Sequence, residues 1–151
     1  MVGRMAGTMA LLVFTANSAE IAMEQGTVSP SKPATLSLKL ASGADLPTGV
    51  QFDLEYDPAA LEITVENGPV SQKAAKSLRS ATIQTGRLRV LIIGINRTTI
   101  SDGVVALVHV AYKGSETGKT FPVHIIASSG TNANADKVVV TAKDGSVTVE
   151  K

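Results

Sequence analysis

Few residues in this chain could do chemistry, and their spacing argues against most of what they could do. The two histidines, His109 and His124, each lie inside an apolar run with no carboxylate or nucleophile at a recognisable spacing. No Gly-x-Ser-x-Gly turn or His-Glu-x-x-His pattern accompanies them. Both read as surface or satisfied structural residues. Gly114-Ser115-Glu116-Thr117-Gly118-Lys119-Thr120 has the residue types of a phosphate-binding loop, but three residues separate its glycines where four are needed. The Phe121-Pro122-Val123-His124-Ile125 that follows reads as a strand, not as a helix whose N-terminus would face a phosphate. Asn132, Asn134 and Asp136 have the 1-3-5 spacing of a calcium loop. Lys137 stands where the sharp-turn glycine is required and Lys143 where the bidentate glutamate belongs. One formal charge among those ligands leaves room only for weak calcium binding by loop carbonyls. Asn96-Arg97-Thr98 fits the glycosylation pattern. The chain has no cysteine, which excludes disulfides, thiolate metal sites, a cysteine nucleophile and a lipidated N-terminal cysteine.

The elements that would position these residues are strands. The 151 residues make one domain's worth of chain, and Val, Ile and Thr together supply 41 of them, a bias toward strands. Net charge is +1, from 14 basic and 13 acidic residues, so no basic field argues for a nucleic-acid partner. Residues 1–19 form a separate segment: Arg4, an uncharged and largely apolar run from Met5 to Phe14, then small residues ending in Ser18-Ala19. This is the pattern of a secretory signal peptide, too short to span a bilayer comfortably. It implies a secreted or cell-surface protein with no membrane association after cleavage, a short linker at 20–25 and a domain at 26–151.

Within that domain the periodicity is two. Leu36, Leu38 and Leu40 share one face. Val50, Phe52, Leu54 and Tyr56 oppose Gln51, Asp53 and Glu55, one face buried and one wet. Asp57-Pro58 forces a turn. Residues 70–79 have a helix-like composition, with Lys73, Lys76 and Arg79 as a solvated stripe. Ala81–Gln84 is a short strand and Arg87–Ile95 a long one. In the latter, Arg87, Arg89, Leu91 and Ile93 share a face opposite Leu88, Val90, Ile92 and Gly94. Burying Arg89 unpaired would cost several kcal/mol; facing the arginines outward exposes Leu91 and Ile93. The opposite arrangement, with Arg89 snorkelling at a strand end, stays open. Further strands cover 104–112, 121–127, 137–141 and 146–150, with 128–136 as a loop. The whole reads as an all-β sandwich of eight or nine strands.

The order of these pieces resembles the cohesin domain family of bacterial extracellular proteins. The resemblance rests on Gly49-Val50-Gln51-Phe52-Asp53-Leu54-Glu55-Tyr56-Asp57-Pro58-Ala59-Ala60-Leu61-Glu62, the strand from Gly86 to Ile95, Asp102-Gly103-Val104-Val105-Ala106-Leu107-Val108, and the closing Gly145-Ser146-Val147-Thr148-Val149. It implies a jelly-roll β-sandwich of about nine strands, related to some carbohydrate-binding modules. It also implies no catalysis, no cofactor, and a dockerin partner that carries calcium of its own. The family binds through one flat sheet face. Carried onto this chain, that face would include Gln51, Asp53, Glu55, Thr82, Gln84, Arg89, Leu91 and Ile93. Cellulosomal members tend to have Asn and Asp where this chain has Gly49 and Gln51, and often an acidic residue near Ala127-Ser128, so the resemblance carries the scaffold further than the partner. The expected function is a non-catalytic extracellular module that docks a dockerin-type or other secreted protein, with a place in polysaccharide-degrading assemblies. The alternatives are a carbohydrate-binding module on the same fold, which the absence of Trp disfavours, and an envelope or pilus component using an open sheet edge.

Overall fold

The computed structural model describes residues 18–151. Eleven strands and one short helix follow in the order β1 Ala19–Met23, β2 Gln25–Val28, β3 Ala34–Ala41, β4 Gly49–Glu55, β5 Leu61–Asn67, α1 Pro69–Lys73, β6 Ser77–Gln84, β7 Arg87–Ile93, β8 Gly103–Tyr112, β9 Thr120–Thr131, β10 Lys137–Lys143 and β11 Gly145–Val149. They hydrogen-bond in the sequence β5-β8-β3-β1-β10-β9-β4-β7-β6, and β11 joins β9 to β2. Among the described residues only the β1–β10 and β11–β2 pairs are parallel. The alternate residues of both halves of this array meet in one core. Leu36, Leu38, Leu40 and Val108 come from one side and Val50, Phe52, Leu54, Val90 and Ile92 from the other, all 2% exposed or less. The result is the β-sandwich that the period-2 pattern requires.

β1 is in this core. Ile21 is fully buried, and β1 lies between β3 and β10. Residues 20–25, expected as a linker, therefore carry most of β1 and the first residue of β2 with Glu24 between them, and the described residues form eleven strands. The pattern of β1, with Ala19, Ile21 and Met23 inward and Glu20 and Ala22 half-exposed, is an alternation that a boundary between leader and linker drawn at Ala19 passes over. The remainder of that leader, residues 1–17, lies outside the described residues.

The helix-like stretch is also shorter than its composition suggests. α1 covers only Pro69–Lys73, and Ala75 at φ 59° turns the chain out of the helix. Lys76 is then buried, its Nζ donating to the Asn96 side-chain and backbone oxygens, and Arg79 lies on β6. The three basic residues thus share no stripe. At the other turn of interest, Asp57 accepts a hydrogen bond from the Ala59 N–H through Oδ1 at 3.0 Å. Gly86 there has φ +80°, and a Cβ on it would sit 2.8 Å from the Tyr56 carbonyl oxygen, so this position needs glycine twice over.

Because β1 is a core strand, Ile21→Ala is expected to lower unfolding stability by about 2–5 kcal/mol. Guanidinium unfolding checks this; a loss within the scatter of surface substitutions would mean that β1 packs only loosely.

Candidate functional site

β10, β9, β4, β7 and β6 lie side by side, and their registers set which side chains share the outer face. One row runs Val139, Ser129, Gln51, Leu91, Arg79. On one side of it Lys137 pairs with Thr131, Thr131 with Gly49, and Ile93 with Ser77. On the other, Asp53 stands between Ile126 and Arg89, with Ala81 beyond, and Glu55 stands between His124 and Arg87, with Gln84 beyond. In β7, Leu88, Val90 and Ile92 are buried, whereas Arg87, Arg89 and Leu91 are half-exposed and Ile93 is 47% exposed.

Seven of the eight residues expected on this face are brought together: Gln51, Asp53, Glu55, Gln84, Arg89, Leu91 and Ile93. Thr82 is not. It pairs with the buried Leu88, while Gln84 pairs with Arg87, so two steps along β6 match one along β7. This bulge at Ile83 reverses the alternation, which composition cannot reveal. Ser129 and Thr131 join the face because β9 runs on through residues read as a loop. Ala127 takes φ 53°, the β4–β9 register shifts beside it, and pairing resumes. Gly49, Gly130, Gln51, Leu91, Ile93 and Thr131 line a shallow depression of about 120 Å³.

The centre of the face is an ion cluster. Asp53 is fully buried although it belongs to the outer row. Arg89 Nε donates to its Oδ1 at 2.8 Å and Arg89 Nη2 to Oδ2 at 3.0 Å; Arg87 Nε donates to Oδ2 at 2.8 Å. Arg87 Nη2 closes the cluster at 2.7 Å from Oδ2. The hydrogen bond from Arg89 is the largest of the effects that hold the Asp53 carboxyl below the ordinary aspartate range, against the opposing effect of burial.

The other candidates are occupied structurally. His109 meets Glu66 through Nε2 at 2.8 Å and Thr35 through Nδ1 at 3.0 Å. His124 meets Asp144 at 2.8 Å. Burial raises the Asp144 carboxyl, but His124 and the Ile125 N–H, which donates to Asp144, outweigh it and leave it lowered. Both histidine partners lie across strands, so sequence spacing could not show them. Asn132 Oδ1 caps the N–H groups of Asn134 and Asp136, and its Nδ2 donates to Asp45, so the calcium-like spacing serves a turn. Lys119 pairs with Glu116. Asn96, the glycosylation candidate, spends its amide on Ala74 and its oxygen on Lys76 and Thr98. Among the described residues no group of three or more His, Cys, Asp or Glu could hold a metal ion. What this arrangement offers chemically is a broad, shallow surface: apolar at one end, arginine-rich at the other.

A carboxylate whose folded-state pKa is lowered contributes stability above its unfolded value, and that contribution disappears as pH falls through the folded value. Asp53→Asn should therefore flatten the acid limb of the stability curve below the ordinary aspartate value of 3.8. Asp144 would leave a residual slope. At neutral pH the loss should be about 1–3 kcal/mol, less than for a fully enclosed ion pair because both arginines reach solvent. Urea unfolding at stepped pH measures both effects; an unchanged acid limb would show that the cluster contributes nothing to folding.

A family model for the cohesin domain matches residues 34–149. No curated protein sequence matches the chain. Among solved structures, the chain is similar to the cohesin of a type I cohesin–dockerin complex from Clostridium thermocellum, with TM-score 0.77, 15% identity, and coverage of 89% of this chain and 100% of that one. It is similar to the sixth cohesin of Acetivibrio cellulolyticus scaffoldin B, in complex with a dockerin, with TM-score 0.76, 18% identity, and coverage of 88% and 99%. It is also similar to a non-cellulosomal cohesin from the archaeon Archaeoglobus fulgidus, with TM-score 0.72, 13% identity, and coverage of 89% and 92%. At such identities the structures establish the fold, and the family match over most of the chain establishes descent: this chain belongs to the cohesin domain family.

Proposed function

We propose that this protein is a non-catalytic docking module that binds a dockerin-type protein on the outer face of β9, β4, β7 and β6. The observation that carries the reading is the outward apolar pair Leu91 and Ile93, at the apolar end of a sheet face and beside the ion cluster. Desolvating two such side chains under a partner is worth roughly 1.5–3 kcal/mol each, enough to form a hot spot inside a polar rim. β9, β4 and β7 each lie between two hydrogen-bonded neighbour strands, which holds the middle of this face in place. None of the described aromatic residues stands on it. Phe52 is core, and Tyr56, Tyr112 and Phe121 pack against the core, so the face has no stacking platform for a sugar.

The leader-like sequence of residues 1–17 supports an exported protein. The family resemblance supports a setting among secreted, polysaccharide-degrading proteins, with calcium on the partner and none required here.

Leu91→Asp combined with Ile93→Asp tests the reading directly. Both side chains point away from the core, so circular dichroism and melting temperature should change little. Retention of calcium-loaded dockerins by the immobilised domain should be abolished, and a calcium chelator should abolish wild-type retention. Full retention by the folded double variant would remove this face from the account. A panel of dockerins of which none is retained by the wild type would remove the function.

A further inference from the structure

The charges on the docking face have an order that bears on which partner it can accept. Its cations are Arg79, Arg87 and Arg89, with Lys137 on the adjoining β10; its carboxylates are Asp53 and Glu55. Asp53 cannot receive a partner's cation. It has no exposed surface, and its two oxygens already accept from two guanidinium groups. What a partner meets at that point is the outer side of the arginines. Each spends Nε and Nη2 on Asp53, which leaves the Nη1 donors of both free. Arg79 has no hydrogen bond or ion pair among the described residues. It pairs across from Leu91, diagonal to Arg89, with the small side chain of Ala81 beside it. Diagonal positions on paired strands are about 7–8 Å apart, within reach of two long side chains for one shared anion. Two guanidinium groups share the one Asp53 carboxylate, so the cluster beside Arg79 keeps a net positive charge that an incoming anion would complement.

We propose that the partner's contact surface is acidic: a carboxylate seated between Arg79 and Arg89, next to an apolar side chain that covers Leu91 and Ile93. This rests on the docking function proposed above and narrows it to one class of partner. The apolar part supplies most of the affinity. The carboxylate supplies orientation, discrimination against basic-surfaced partners, and a faster, salt-dependent encounter.

The test uses purified, calcium-loaded dockerins in two sets, one with acidic and one with basic contact helices, and follows association with the immobilised domain at several salt concentrations. Members of the acidic set should bind, with association slowing as salt rises from about 0.05 to 0.5 M. Arg79→Glu should weaken them about tenfold, mostly through the association rate, and Asp→Lys in the partner should restore binding to that variant. Arg79 is exposed and unpaired, so its reversal leaves the fold intact; an unchanged melting temperature verifies this. Binding confined to the basic set, or affinity unaltered by Arg79→Glu while Leu91→Asp with Ile93→Asp abolishes it, would overturn the acidic partner and leave the docking function standing. Retention of neither set would overturn both.

Discussion

A guanidinium cannot be left inside an apolar layer without a counter-charge, and this constraint decides which way β7 faces. With Arg87 and Arg89 turned outward, Leu88, Val90 and Ile92 must turn inward, and all three are buried. Leu91 and Ile93 then follow the arginines to the surface, because side chains alternate along a strand. The same choice places both guanidinium groups over Asp53, whose position on β4 would otherwise present a bare carboxylate in the middle of the sheet. One electrostatic requirement therefore sets the core, the exposed apolar pair and the sealed anion together.

For the docking function proposed above, this face offers a broad, shallow surface. Two flanking strands hold each central strand, so the face has little freedom to adapt. Recognition must come from the fixed order of side chains across it. The ion cluster contributes to that order by locking two long, flexible side chains into one arrangement before a partner arrives, which lowers the entropy cost of association. The family gives the scaffold.

Several assignments failed for one reason: they depended on partners distant in sequence. The alternation in Ala19–Met23 is plain once β1 is seen between β3 and β10, but a five-residue stretch directly after a leader-like segment reads equally well as a short linker. The reversal of alternation at Ile83 and the continuation of β9 beyond Ala127 are bulges, created by pairing with β7 and β4 and invisible to local propensity. Lys76 resembles a solvated lysine until Asn96, twenty residues later, is brought against it.

The sequence alone determined the all-β class, the inward and outward sets of β4 and the turn at Asp57-Pro58. Each is written in nearest-neighbour chemistry: period-2 hydrophobicity, or a residue that cannot donate a hydrogen bond. The cost of burying Arg89 posed the question of which way β7 faces but left both arrangements open, and the structure turned the arginines outward. Tertiary structure alone decided that Asp53 would be neutralised by Arg87 and Arg89, that His109 and His124 would find Glu66 and Asp144, and that Thr82 would leave the face while Ser129 and Thr131 joined it. Those outcomes rest on register between strands, a relation between segments that no single segment encodes.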